Sequence, residues 1–389
     1  MIAVGNLFAN PGAPTKSDAT TEHIRADALA ATLTRLRLDA VVAGSADQRY
    51  ARDELEAWLH AAHPLVLGQR IPAHDDEPTP ALDAMQHGVI VHVGARRIGL
   101  IALEDEPDKA AQDRMQRAIS QLRELGAQLV IAIADHAPPA IPPEIAADVM
   151  LHADPASTQQ RAAVREQSGV LDLVAASARE HVMVVDLQWS RHTLPWKVAV
   201  NLDPTRSERG GSAVVQSFEL DERVPPDAET RALLTQSFAR INAYNAEHAA
   251  TPRPARADEA RYMGSDTCAA CHTEAYYWWR STGHGRAFET LVARGREFDL
   301  DCISCHVTGF DQPGGSSIAQ LEHLTGVGCE SCHGAGSMHA DNPRPPHRDI
   351  KRKVTEQSCR TCHDPEHSEG FSYQRARAKL LGPGHRFAL

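Results

Sequence analysis

Cys268-Ala-Ala-Cys271-His272, Cys302-Ile-Ser-Cys305-His306, Cys329-Glu-Ser-Cys332-His333 and Cys359-Arg-Thr-Cys362-His363 repeat one five-residue pattern and use every cysteine of the 389-residue chain. Cys-x-x-Cys-His is the attachment pattern of c-type haem. Its spacing is mechanical: two intervening residues match the porphyrin vinyl groups to which the thiols add, and the adjacent histidine turns back to the iron as proximal ligand. Structural zinc knuckles also pair cysteines, but zinc requires no histidine directly after each pair. With histidine at roughly 5% of residues, four such placements by chance have odds on the order of one in 100,000. The pattern predicts four covalently attached haem c groups, with His272, His306, His333 and His363 as proximal ligands. Redox chemistry is therefore the leading function.

Charge is uneven along the chain. Residues 1–255 hold 24 Lys+Arg against 34 Asp+Glu, while residues 256–389 hold 16 against 17. Such a balance excludes the basic footprint of a nucleic-acid binder and suits solubility or the steering of a redox partner. No apolar run approaches the roughly 18 residues that a membrane span requires. Met1-Ile2-Ala3-Val4 supplies neither the basic nor the apolar part of a signal peptide. Because haem is attached outside the bacterial cytoplasm, the expectation is an exported, periplasmic protein whose leader was removed or whose true start lies upstream.

Working outward, residues 1–222 alternate short apolar runs with helical stretches. Val41–Ala43, Gly88–Val93, Ile98–Leu103, Leu129–Ile133, Val149–Leu151, Val182–Asp186 and Val198–Asn201 read as strands, several of them apolar enough to be covered on both faces. Thr21–Arg37, Asp47–Ala62 and Asp108–Gly126 read as helices, with a start at Thr20 or Thr21 and a stop at Gly126. This alternation predicts an α/β domain with layered sheet and helices. Residues 223–258 read as a helix (Asp227–Ala249) and a proline-rich linker, Thr251-Pro-Arg-Pro-Ala-Arg256. Residues 259–389 are predicted to form a mostly helical and irregular multihaem domain, since one haem per roughly 33 residues supplies much of the core.

Each iron needs a sixth ligand or an open position. The distal candidates are His284, His339, His367, His385 and His347, with His323 the weakest. Trp278, Trp279, Phe288 and Tyr373 are expected to pack against porphyrin faces. Tyr277-Trp-Trp-Arg-Ser-Thr-Gly-His-Gly-Arg-Ala-Phe288, Cys305-His-Val-Thr-Gly309 and Gly326-Val-Gly-Cys-Glu-Ser-Cys-His-Gly-Ala-Gly-Ser-Met-His339 resemble the tetrahaem cytochrome c-554 family over about residues 259–385. The resemblance implies that His284 and His339 are distal ligands. His367 lies too close to His363 to share its iron, but can reach across to another.

The order of elements in residues 1–222 is similar to the calcineurin-like metallophosphoesterase domain of periplasmic 5′-nucleotidases. The matching pieces are Val4-Gly-Asn-Leu-Phe8, Leu38-Asp-Ala-Val-Val-Ala-Gly44, Gly126-Ala-Gln-Leu-Val-Ile-Ala-Ile133 and the strand near Trp196–Asp203. The family's first metal motif is missing, as if the first strand were absent. Its bridging carboxylate falls on Asn6, and its Gly-Asn-His motif on Gly44-Ser45-Ala46. Only His136 and His152, with Asp154, stand near later ligand positions. Two-metal hydrolysis requires a bridging carboxylate and several imidazoles, so the domain is expected to be degenerate.

The expected function is electron transfer between donor and acceptor redox proteins. The alternatives are an oxidoreductase acting on a small nitrogen or sulfur oxo-species at an open haem, and a bifunctional phosphohydrolase. The full-length protein, assayed with nucleotides and an aryl phosphate in manganese or zinc, is expected to stay below about 1 turnover per second. Faster turnover means that the metal motifs have been misaligned.

Overall fold

The computed structural model describes residues 2–5, 8, 18–36, 38, 40–43, 47, 54, 57–58, 65–67, 88–103, 109–134, 147–153, 163–167, 170–175, 181–188, 196–200, 211–221, 223–343, 350–364, 367–368 and 370–385. Its strands, in chain order, are β1 (Ile2–Gly5), β2 (Ala40–Ala43), β3 (Leu65–Leu67), β4 (Gly88–Val93), β5 (Arg96–Ala102), β6 (Leu129–Ala134), β7 (Val149–Ala153), β8 (Ala163–Gln167), β9 (Val170–Ala175), β10 (His181–Gln188), β11 (Trp196–Val200) and β12 (Gly211–Glu219). The long helices are α1 (Ala19–Leu36), α2 (Lys109–Glu124) and α3 (Ala228–Glu247). The described chain divides into two units, residues 1–13 with 26–230 and residues 14–25 with 231–389.

Alternation along β6 sets the layers of the first unit, because successive side chains of a strand point to opposite faces. Val130, Ala132 and Ala134 join Ile101 and Met150 beneath Met115, Ile119 and Leu122 of α2. Leu129 packs on the opposite face with Val149, Leu171 and Leu173, against Ala213 and Val215 of β12. Ile133 meets Leu100, Ala102 and Ala40 of β2. The central sheet has the order β4-β5-β6-β7-β9-β8, parallel from β5 through β9 with antiparallel edges. Two three-stranded sheets accompany it, the all-parallel β1-β2-β3 and the mixed β10-β12-β11. This is the expected α/β layering, and the apolar run of β6 is covered on both faces, whereas Val93 of β4 and Val182 and Val184 of β10 are exposed.

Some elements escape the pattern. β8 and β12 are too polar to read as buried strands, and β9 carries Asp172 in its middle. That carboxylate is buried but accepts from His152 on neighbouring β7 at 2.9 Å, and a satisfied polar group can sit in a sheet interior. Helix α1 starts two residues earlier than the expected Thr21, because the Asp18 carboxylate rather than a threonine caps it, accepting from the Thr21 amide at 2.9 Å. Gly126, at φ 87°, ends the run after α2 as expected, with the Ala127 amide donating to the Leu122 carbonyl at 2.9 Å. Of the expected Asp47–Ala62 helix only residues 47, 54 and 57–58 are described; the rest lies outside the described residues.

The second unit has the opposite character. Beyond α3 its helices are short: α4 (Ser265–Cys268), α5 (Thr273–Ser281), α6 (Ala287–Val292), α7 (Leu300–His306), α8 (Cys329–His333), α9 (Ser337–Asp341), α10 (Glu356–Arg360) and α11 (Tyr373–Leu380). A small apolar cluster of Leu291, Ile303, Val307 and Phe310, with Phe288 against it, centres on α7. Among the described residues no helix is long and apolar enough to cross a membrane. In the first unit, Ile133→Ala is expected to cost about 2–5 kcal/mol, read as a lowered denaturation midpoint of the far-UV signal of the full-length protein. Exposed Val93→Ala serves as a control that stays within about 0.5 kcal/mol. A cost below about 1 kcal/mol for Ile133→Ala would remove β6 from the core.

Candidate haem-binding site

Each motif forms one helical turn, and the chemistry follows from helical spacing. Positions i, i+3 and i+4 share a helix face, so two thiols and an imidazole leave the backbone on the same side. In the first motif the His272 amide donates to the Cys268 carbonyl at 2.8 Å, and in the fourth the His363 amide donates to the Cys359 carbonyl at 2.9 Å. The second and third motifs lie within α7 and α8. Among the described residues all eight cysteines are free thiols.

The imidazoles are prepared as ligands. His306 Nδ1 donates to the Ala287 carbonyl at 2.7 Å and His333 Nδ1 to the Lys351 carbonyl at 2.7 Å. A carbonyl only accepts, so the proton sits on Nδ1 and leaves the Nε2 lone pair for a metal. His363 Nδ1 contacts the Ser368 hydroxyl at 2.8 Å and its ring stacks on Phe371, centroids 4.5 Å apart at 9°.

Two second imidazoles are brought opposite motif histidines. His339 faces His272 with ring centroids 6.3 Å apart, and His284 faces His363 at 6.1 Å. A metal–imidazole bond is about 2 Å and a ring radius about 1.1 Å, so two rings in line across one metal ion stand about 6.2 Å apart. The donor set therefore fits haem iron, with the thiols on the same turns. Burial, with His363 beside it, holds the His284 imidazole below its ordinary range. Burial also lowers His385, with His333 and, more weakly, His272 acting on it. His367 turns back on its own loop, both its amide and Nδ1 meeting the Asp364 carboxylate at 2.8–3.0 Å. His323 is exposed at φ 63°, and His347 lies outside the described residues.

Polar bonds hold these turns in place. Glu330, between the cysteines of the third motif, is 4% exposed. It accepts from Met263 N (2.9 and 3.1 Å), Gly264 N (2.8 Å) and Gly336 N (2.7 Å), tying the entrance of the first motif to the exit of the third. Asp299 caps α7, accepting from the Asp301 amide at 3.2 Å, and pairs with Arg296 at 2.8 Å and with Arg25, which also bonds Asp301. Asn242 and Asn245 on α3 clamp the loop before α7, bonding Gly295 O (3.0 Å), Phe298 N (3.1 Å) and Phe298 O (2.8 Å). Gly326 needs its left-handed φ of 84° and its bareness, since a Cβ there would lie 3.0 Å from Gly285 O, beside His284. The anchoring Glu330, Asp299, Arg25, Asn242 and Asn245 went unread in the sequence. Only Asp299 carries a local signal, a cap residue just ahead of a helical turn.

Thiols of different motifs are neighbours. Cys268 and Cys329 share a hydrogen bond that raises the first and lowers the second to about 7. Cys362 is raised by a hydrogen bond with Cys305. Burial raises Cys332 to about 11, with Cys359 next to it. The motifs thus run first, third, fourth, second. The expected aromatics sit among them with their polar tips bonded: Trp279 to Val327 O (2.7 Å), Trp278 to Leu380 O (3.0 Å), Tyr373 to Val354 O (2.9 Å).

The first unit offers less. His152 is buried on β7 and bonded to Asp172. His136, Asp154, Asn6, Ser45 and Ala46 lie outside the described residues. Among the described residues no three His, Cys, Asp or Glu are grouped to hold a metal ion.

Motif turns, metal-spaced imidazoles and paired thiols together define a c-type cytochrome unit. The family model for cytochrome c554 and c-prime matches residues 267–334, the first three motifs. Cytochrome c-554 of Nitrosomonas europaea is 31% identical over 154 residues, 31% of this chain, and the chain spans 65% of that protein's length, just under two thirds. The second unit thus resembles the cytochrome c554 family over its first three motifs. Among solved structures, Thermus thermophilus sulfate thiohydrolase SoxB in complex with glycerol shares 14% identity at a TM-score of 0.39, covering 65% of this chain and 46% of that one.

Glu330→Ala is expected to cost at least about 3 kcal/mol, since three amides lose a charged acceptor. The measurement is the denaturation midpoint of the second unit in the full-length protein, with Glu322→Ala as the exposed control. A cost within about 0.5 kcal/mol of the control would mean that Glu330 is no anchor.

Proposed function

We propose that this protein is an exported, periplasmic multihaem c-type cytochrome that passes electrons between redox proteins. It would carry four haem c groups on Cys268, Cys271, Cys302, Cys305, Cys329, Cys332, Cys359 and Cys362. The observation that supports this reading most is the facing of His272 by His339 and of His363 by His284 at the spacing of two ligands on one metal. Bound haem c supplies a one-electron Fe(III)/Fe(II) couple whose potential follows ligation, hydrogen bonding and burial. The chain's own part is positional. His272, His306, His333 and His363 serve as proximal ligands, His339 and His284 as distal ligands of the first and fourth motifs, and His385 as that of the third. The Ala287 and Lys351 carbonyls fix two of these imidazoles in the tautomer that a metal requires. The neighbouring thiols support a relay in the order first, third, fourth, second. Residues 1–222 are a degenerate phosphoesterase-like module for docking or stability.

One observation favours a second reading. Among the described residues His306 has Ala287 and Thr290 at its Nδ1 but no second imidazole ring against it. An open sixth position in the second motif would suit binding and reduction of a small nitrogen or sulfur oxo-species.

Exported with an added signal peptide, the full-length protein is expected to gain about four haem masses. The mass of the bare chain with stoichiometric zinc overturns the reading. His284→Ala and His339→Ala are each expected to turn one low-spin haem high-spin in EPR while all haems stay attached; unchanged spin states in both remove those ligand assignments. A high-spin signal from one haem of the parent protein supports the second reading, and four low-spin signals end it.

A further inference from the structure

Residues 344–389 hold ten Lys+Arg against five Asp+Glu, in a chain of net charge −11. The preceding stretch, residues 256–343, has the opposite bias, six against twelve. A merely solvated face mixes its signs, whereas here positive charge is segregated around the last motif. Lys351, Arg352, Lys353, Arg360, Arg375, Arg377 and Lys379 are all exposed. Among the described residues only Arg360 of these has an ion pair, with Glu356 at 3.0 Å.

Hydrogen bonds gather the basic segments. The Lys351 amide donates to the His333 carbonyl at 2.9 Å, which sets Lys351–Lys353 beside the third motif. The Tyr373 hydroxyl reaches Val354 O at 2.9 Å and the Trp278 indole reaches Leu380 O at 3.0 Å, so α11 is held at one end against the segment before the fourth motif and at the other against the helix after the first. Arg360 lies over the Phe371 ring at 5.0 Å, and Phe371 stacks on His363. One aromatic ring thus separates an exposed cation from the imidazole of the fourth motif.

Keeping like charges together without partners opposes folding and is useful when the field acts on something outside the chain. We propose that this basic surface docks an acidic electron-carrier protein and that the fourth motif is where electrons enter or leave. The proposal rests on the multihaem reading above. An acidic partner would be drawn in over about a Debye length, 10 Å at 0.1 M salt, and oriented before contact.

The test uses the full-length, haem-loaded protein, with reduced plant-type ferredoxin as the acidic donor and photoreduced riboflavin as an uncharged one. In stopped flow, the ferredoxin rate constant is expected to fall at least tenfold between 10 and 300 mM salt, and at least tenfold at low salt in R375Q/R377Q/K379Q. The riboflavin rate and haem content should stay unchanged. R117Q/R231Q, which removes two charges elsewhere in the sequence, should stay within twofold. If R375Q/R377Q/K379Q misfolds, Arg377→Gln alone is expected to slow ferredoxin at least twofold. A ferredoxin rate that ignores salt or these substitutions overturns the proposal, as does an equal loss in R117Q/R231Q. It also falls if the triple variant loses only its binding to vesicles of phosphatidylcholine and phosphatidylserine, which would make the surface a membrane face. A preparation without a Soret band fails the multihaem reading instead.

Discussion

Two imidazoles can serve one iron only if the chain holds them apart, in line, across a gap of about 6 Å. Nothing in a polypeptide favours that gap by itself. His272 and His339, and likewise His284 and His363, come from distant parts of the sequence. The backbone between them is fixed mostly by directed polar bonds. Short helices bury little, and the one apolar cluster around Ile303 is small. Precision therefore comes from buried acceptors with several donors each: Glu330 receives three amides and Asp299 two guanidinium groups. A buried carboxylate is costly unless it is fully satisfied. Once satisfied, it leaves its partners little room to move.

The first unit solves a different problem by different means. Its central strands bury both faces, α2 on one side and other sheets on the other, and most of its stabilisation is area removed from water. Its buried His152–Asp172 bond is an exception set among apolar neighbours. The two halves of the chain thus illustrate two routes to order, nondirectional burial and geometric satisfaction. Each suits its composition.

What could be read in advance follows from this division. Strands such as Leu129–Ile133 were legible because local hydrophobicity matched their final burial. β9 was not, since the partner that makes Asp172 tolerable lies on another strand. The four Cys-x-x-Cys-His turns were legible because the pattern is complete within five consecutive residues. The facing of His284 with His363 is a tertiary fact, reachable from the sequence only through family resemblance. Glu330 illustrates the limit best. It occupies a variable position of a familiar motif, and no local pattern marks a carboxylate there as buried.

Residues 14–25 belong with the cytochrome unit, and Arg25 among them bonds the acid that caps the second motif. Asn242 and Asn245, ahead of the proline-rich segment, brace the loop leading into that motif. The unit is consequently not one uninterrupted stretch of gene. A recombination joint placed at Thr251–Arg256 would pass on all four attachment motifs and leave behind the struts of one. Inheritance of this unit as a portable cassette is thereby restricted.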